Sequence, residues 1–259
     1  MSERKLHTVY LENEGRSSME ACISESFGWC IQNGVQKIVM FTGTGDGPMY
    51  ALDNLLTKKE FALVELVAVT PPAGKPYHQD PHDKSSPLVT AGVPEDRREF
   101  LREIGIPVIS AHFPFKTTSN RGRAPEWNEA AEAFGVLGGG FSLCVQAVLV
   151  ACDAGAVDAG ERVVSMSADT SIVALASRTE TFLSAHQGLI VEHIICRPMR
   201  YGISKPHHGA LDNMGQFGDA AGSRPAQKYI DAVVAGEDPN RLISEIAGTS
   251  DDDEGDDLP

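Results

Sequence analysis

The chain has 259 residues, of which 42% are apolar, and a formal net charge of −14 at pH 7. This length and apolar content suffice for a globular domain with a sizeable core, and the longest apolar run is too short to cross a bilayer. The acidic balance disfavours nucleic acid, whose phosphates require clustered Lys and Arg.

The predicted elements alternate between strand and helix along the first two thirds of the chain. Strands are predicted at 7–11, 37–41, 63–69, 107–110, 162–166, 172–176 and 189–196, and helices from 17 or 18 to 33, 48–55, 94–104, 126–134 and 141–155. Residues 73–87 are predicted as a polar, proline-rich stretch, and 225–234 as one further helix. This order indicates an α/β fold with right-handed crossovers and a mostly parallel sheet.

The two ends of the chain predict the location of the protein and its domain organisation. The charged start has no apolar segment behind it, so we expect a cytoplasmic protein with neither a membrane nor nucleic acid as partner. Residues 1–200 are predicted to form the α/β domain, 201–248 an extension that packs on or near it, and 249–259 a disordered acidic tail.

The cysteines form no C-x-x-C pair, and their spacing within apolar helical patterns places them on core-facing sides. We therefore predict reduced, buried thiols at Cys22, Cys30, Cys144, Cys152 and Cys196. The loop 77–83 carries His and Asp at spacings that metal sites also show, but Pro81 breaks any helical geometry, and we predict a solvated loop there.

The loop that follows the first buried strand is the strongest candidate for a ligand site. In parallel sheets, ligands bind beyond the carboxyl ends of the strands, and four predicted loops meet at that edge: 42–47, 70–72, 111–123 and 167–171. Glycines in the first loop allow close approach of a ligand, and the threonine hydroxyls with the following helix suit a phosphate. The simpler interpretation is a tight strand-to-helix turn with Asp46 as the N-cap.

The predicted ligand-binding residues come from these loops and from a second glycine-rich segment, Gly138 to Gly140. That segment is equally consistent with a helix-end site and with close packing or a hinge. The full set is Thr42, Gly43, Thr44, Gly45, Asp46, Gly47, Thr70, His112, Arg121, Gly139, Gly140, Ser167, Asp169 and Thr170.

A set of ordered motifs resembles the C-terminal α/β domain of pyruvate kinase, and more closely a group of stand-alone, largely uncharacterised proteins built like that domain. The motifs are Lys37-Ile-Val-Met-Phe-Thr-Gly-Thr-Gly45, Val69-Thr70, Gly105-Ile-Pro-Val108, the helix that reads Gly140-Phe141, Cys144-Val145 and Asp153-Ala-Gly155, then Ala159 to Val164 and Ile194 to Pro198.

The resemblance implies a three-layer α/β/α sandwich with one antiparallel strand, and a phosphate held by the 42–47 loop. Pyruvate kinase activity is not implied, because the catalytic barrel alone takes about 250 residues. The implied ligand is a sugar phosphate or a mononucleotide such as FMN, and related domains associate, which implies a homo-oligomer.

Two other functions compete with phosphate binding at the sequence level. One is an enzyme of unassigned reaction that uses the same cleft, with Asp46, His112, Arg121 and Asp169 as polar groups; Asp169 and His112 within hydrogen-bond reach would favour it, and wide separation would weaken it. The other is an oligomerisation or structural module.

Overall fold

A computed structural model describes residues 5–74, 76–78, 88–115, 130 and 133–201. Several predicted segments lie outside the described residues: Arg121, residues 79–87, most of the predicted helix 126–134, and the extension and tail from residue 202 onward. The side chains of the 77–83 loop also lie outside them.

Seven strands of the described part of the chain form one sheet, and two form a separate hairpin. The sheet strands are β1 (Val9–Leu11), β2 (Lys37–Phe41), β3 (Glu65–Thr70), β6 (Val108–Ser110), β7 (Arg162–Met166), β8 (Ser171–Leu175) and β9 (Ile190–Pro198); the hairpin pairs β4 (Pro76–His78) with β5 (Leu88–Thr90). The spatial order of the sheet is β1-β9-β8-β7-β2-β3-β6.

The predicted mostly parallel sheet is confirmed. β2 lies parallel to both β3 and β7, β3 lies parallel to β6, and β1 lies parallel to β9. β8 runs antiparallel to β7 and to β9. The parallel strands β2, β3 and β7 therefore end at the same edge, where the register aligns Met40 with Met166 and Phe41 with Val69.

Among the described residues, the α-helices with both ends defined are α1 (Met19–Asn33), α2 (Asp46–Ala51), α3 (Glu95–Glu103) and α4 (Phe141–Asp153). Successive residues of a strand face opposite sides of a sheet. Accordingly Ile38 and Met40 of β2 join a core cluster that includes buried residues of α1, whereas Val39 joins a second cluster built largely from α4. The continuous apolar runs predicted as doubly covered strands are thus buried on both sides.

Several predicted elements differ from the structure. The helix predicted from Pro48 to Leu55 begins at Asp46 and changes into a π turn at Leu52–Leu56, and Gly45 rather than Asp46 is its N-cap. The 73–87 stretch contains the whole of β4, and the partner strand β5 begins at Leu88. Strands of three residues that pair with one neighbour leave little periodicity in the sequence.

The prediction for the cysteines is confirmed. All five are free and buried, and Cys22 of α1 lies 3.4 Å from Cys196 of β9, sulfur to sulfur.

Candidate functional site

The Thr42–Gly47 loop folds on itself at the carboxyl end of β2. The Thr42 hydroxyl accepts a hydrogen bond from the Gly45 N–H at 2.9 Å, and the Thr44 hydroxyl donates to Asp46 Oδ2 at 2.8 Å. Gly45 has a φ of 85°, in the left-handed region that favours glycine. Both threonine hydroxyls therefore hold the shape of the loop.

Two further contacts fix the loop, and one of them explains a glycine. The Gly43 carbonyl accepts a hydrogen bond from the Gly92 N–H at 3.1 Å, which ties the loop to the segment before α3. A Cβ at Gly47 would lie 2.8 Å from Met40 Sδ, so this position has no room for a larger side chain without movement of Met40.

Asp46 joins the loop to two arginines from elsewhere in the chain. Arg97 Nη1, on α3, donates to Asp46 Oδ1 at 2.6 Å and to the Thr44 carbonyl at 3.1 Å. Arg16 Nη2, just before α1, lies 2.9 Å from Asp46 Oδ2. Burial opposes ionisation of Asp46, but the hydrogen bonds from Thr44 and Arg97 and the charges of both arginines outweigh it and lower the pKa of this carboxyl.

The sequence did not single out Arg16 or Arg97. Arg16 lies in the loop that follows the short edge strand β1, which was not among the four predicted ligand loops, and Arg97 lies on α3. Each reaches Asp46 only through the tertiary packing of the domain. The chain carries 22 Lys and Arg against 36 Asp and Glu, so two arginines at one glycine-rich loop are a local exception to its acidic composition. Their positions in the sequence do not show this, because only the fold brings them together.

Gly140, Ser167, Asp169 and Thr170 form a second, buried cluster. The Gly140 N–H donates to Asp169 Oδ1 at 2.9 Å and to the Thr170 hydroxyl at 3.0 Å. Ser167 and Thr170 also donate to Asp169 Oδ1. The carboxylate of Asp169 thus occupies the amino end of α4, where an external anion would otherwise sit.

Steric contacts favour the close-packing interpretation of Gly138 to Gly140. A Cβ at Gly140 would lie 1.8 Å from Ser167 Oγ, and a Cβ at Gly139 would lie 2.7 Å from Thr170 Oγ1. These glycines therefore bring α4 against the turn between β7 and β8.

A loop between β1 and α1 connects the two clusters. The Gly15 N–H donates to Asp169 Oδ2 at 2.6 Å, and the next residue, Arg16, pairs with Asp46. Asp46 and Asp169 hold this loop at neighbouring strand ends, since β2 and β7 are adjacent in the sheet.

The remaining predicted site residues are spread along the edge. Thr70 is fully buried, and its hydroxyl accepts a hydrogen bond from the Val93 N–H at 3.2 Å. His112 is exposed, and the hydrogen bonds of the Asp169 carboxylate go to Gly15, Gly140, Ser167 and Thr170 rather than to His112. Among the described residues, no hydrogen bond joins Asp169 to His112, the contact that would favour the enzyme hypothesis.

Comparisons with protein-family models and with curated proteins find no match for this chain. Among the described residues, no helix is long and apolar enough to span a membrane, and no group of three or more His, Cys, Asp and Glu is arranged to hold a metal ion.

Proposed function

We propose that this chain is a stand-alone relative of the C-terminal α/β domain of pyruvate kinase, and that it binds a phosphorylated small molecule at the carboxyl edge of its sheet. The ligand class is a sugar phosphate or a mononucleotide such as FMN, and no pyruvate kinase activity accompanies it. The observation that carries the proposal is the convergence of Arg16 and Arg97 on the Thr42–Gly47 loop.

The local charge supports an anionic ligand. Two guanidinium groups share the single carboxylate of Asp46, which leaves one positive charge at the loop of an otherwise acidic protein. Guanidinium groups bind phosphate oxygens in a bidentate manner. Arg16 is the accessible partner, since 77% of its side chain is exposed, whereas Arg97 is more enclosed and also holds the Thr44 carbonyl.

Asp46 fits this site as the residue that orients the two arginines. A side chain already held in place loses less conformational entropy when a ligand arrives. In this arrangement the glycines provide the close approach, the threonine hydroxyls maintain the loop, and the arginines supply the charge.

The proposed fold assignment rests on the parallel sheet with one reversed strand and on the two core clusters. α1 contributes to one cluster and α4 to the other, which supports helices on both sides of the sheet and hence a three-layer arrangement.

Thermal unfolding in the presence of phosphorylated ligands tests the proposal. We expect inorganic phosphate, a sugar phosphate or FMN to raise the Tm, because a ligand at 100 times its Kd stabilises the native state by about 2.7 kcal/mol. The variant Arg16→Gln should lose most of this stabilisation and keep its Tm without ligand, since Arg16 is largely exposed.

The matched control is Arg162→Gln. Arg162 begins β7 at the opposite edge of the sheet, and its guanidinium pairs with Glu192 at 2.6 and 2.8 Å. This variant makes the same change in net charge and should retain the ligand-induced stabilisation. The proposal fails if no phosphorylated ligand raises the Tm, or if Arg16→Gln and the wild type are stabilised equally.

A further inference from the structure

A groove on another part of the domain lies between α1, β9 and the segment that precedes β1. Its volume is about 470 Å3, and its described lining includes Lys5, His7, Gly28, Trp29 and His193. His193 lies five residues before the carboxyl end of β9 at Pro198, a distance of about 16 Å at the usual rise of a strand. The groove is therefore distinct from the loops at the carboxyl edge.

Gly28 opens the groove in the middle of α1. Glycine lowers helix stability relative to alanine, and a Cβ at this position would meet no atom within 4 Å, so packing does not require glycine here. Glu25 and Gln32 lie three residues before and four residues after Gly28, on the same face of α1. Trp29, which follows Gly28, flanks this face four residues after Glu25. The missing side chain leaves an open recess between them.

Aromatic groups form one wall of this recess. The indole of Trp29 stacks with the imidazole of His193, with ring centroids 6.2 Å apart and an interplanar angle of 29°. The buried side chain of Ile195 lies beside them on β9. Flat aromatic surfaces of this kind favour a planar ligand.

The polar groups at one end of the lining can pair with an anion. The exposed ammonium of Lys5 and the imidazole of His7 come from the segment before β1, and His193 comes from β9. Glu25, the one acidic group among the described lining residues, lies on α1. Amide groups of Gln32 and Asn33 add hydrogen-bonding capacity.

We infer that this groove between α1, β9 and the segment before β1 is a second ligand site, which binds a planar aromatic molecule that carries a carboxylate. The ring lies in the recess above Gly28 against Trp29, and the carboxylate faces Lys5 and His7. This inference is independent of phosphate binding at the carboxyl edge.

Nuclear magnetic resonance of the full chain tests it. The sequence has two tryptophans, so Trp127→Phe leaves one indole N–H signal, which belongs to Trp29. We expect benzoate to shift this signal in a saturable manner, with a Kd in the millimolar range or tighter. Benzamide, which lacks the charge, and cyclohexanecarboxylate, which lacks the flat ring, should each bind about tenfold more weakly, a loss of about 1.4 kcal/mol.

Two substitutions at one position separate groove filling from changes in stability. In the Trp127→Phe background, Gly28→Leu should fill the recess and abolish the benzoate shift, while Gly28→Ala should leave most of the recess open and retain binding. Both raise helix propensity and have open space around their new Cβ, so neither should lower the Tm. An additional Lys5→Gln variant should weaken benzoate binding without affecting benzamide.

The inference is overturned if benzoate causes no saturable shift of the Trp29 signal, or if Gly28→Leu binds benzoate as tightly as Gly28→Ala. Equal binding of benzoate and cyclohexanecarboxylate would also contradict it, because the aromatic wall would then have no role.

Discussion

Asp46 carries the electrostatics of the Thr42–Gly47 loop, because its carboxylate joins Thr44, Arg97 and Arg16. The charged form of this group is favoured in the native state, so its pKa lies below the ordinary value of 3.8. A carboxyl with a lowered native pKa adds stability above its unfolded pKa, and this contribution is lost as the pH falls through the native value.

We therefore expect Asp46→Asn to lower the free energy of unfolding at pH 7 by about 1 kcal/mol, the range found for partly exposed ion pairs. The difference between this variant and the wild type should shrink as the pH falls below about 4, where the carboxyl of the unfolded wild type takes up a proton, and should disappear below the lowered native pKa. Denaturant unfolding at pH 7, 5 and 3.5 measures it, with the exposed Asp53→Asn as the charge-matched control. A difference that grows on acidification would contradict the assigned role.

For single residues, the sequence predicts the glycine-rich loop but not the charged groups that contact it. Gly43, Gly45 and Gly47 stand out because their spacing after an apolar strand is a local property. Arg16 and Arg97 lie 30 and 51 residues from Asp46 along the chain, and only tertiary packing brings them to it. Asp169 likewise reads as a surface or capping residue until α4 and the β7–β8 turn are seen in contact.

Among the elements, the junction between α4 and the β7–β8 turn depends on the absence of a side chain at Gly140. We expect Gly140→Ala to lower the free energy of unfolding by about 1–3 kcal/mol, the usual cost of overpacking, because its Cβ would lie 1.8 Å from Ser167 Oγ and 2.6 Å from Ser167 Cβ. Backbone strain is not the cause, since Gly140 has a φ of −77°.

A double-mutant cycle identifies the clash. Ser167→Gly removes the two atoms nearest to the new Cβ and leaves Asp169 Oδ1 at 3.0 Å, so the cost of Gly140→Ala should be smaller in that background. Gly47→Ala is a useful comparison, because its Cβ would meet the thioether of Met40, which can adjust more easily. Additive effects of Gly140→Ala and Ser167→Gly would rule out the steric explanation.

The elements that the sequence predicts well are those with a strong local pattern. β2 and β7 match their predicted bounds residue by residue, because each is a short, largely apolar run buried on both faces. α1 ends at Asn33 as predicted, since Gly34 adopts a left-handed φ of 69°. The π turn after α2 and the β4–β5 hairpin were not predicted, because side-chain periodicity does not report an extra residue in a helical turn or a short pairing.

In the whole molecule, the two core clusters depend on one another through the strands that separate them. The strand pattern was sufficient to predict an α/β fold with a mostly parallel sheet. The ligand was not predictable, because the groups that select it come from separate helices and loops. The homo-oligomer implied by the resemblance stays a prediction.

The five thiols give a measure of how the whole domain opens. Burial raises the pKa of Cys30 to about 12 and also raises the pKa of Cys22, Cys144 and Cys152, so these groups stay protonated in the native state. Thiolate is the reactive form, and a buried thiol must in addition become exposed before a reagent reaches it.

We expect Ellman's reagent at pH 8 to label all five cysteines quickly in guanidinium chloride and to label the native protein slowly. The native rates for Cys22, Cys144 and Cys196 should be similar, because these thiols are buried in the two core clusters on either side of one sheet and become exposed together when the domain unfolds. Variants with a single cysteine, analysed by mass spectrometry over time, give each rate.

Gly140→Ala should accelerate the labelling of Cys22, Cys144 and Cys196 alike, since it lowers the stability of the domain as a unit. Rapid labelling of Cys22 or Cys196 in the native wild type, at the rate of a free thiol, would show that α1 opens from β9 without global unfolding.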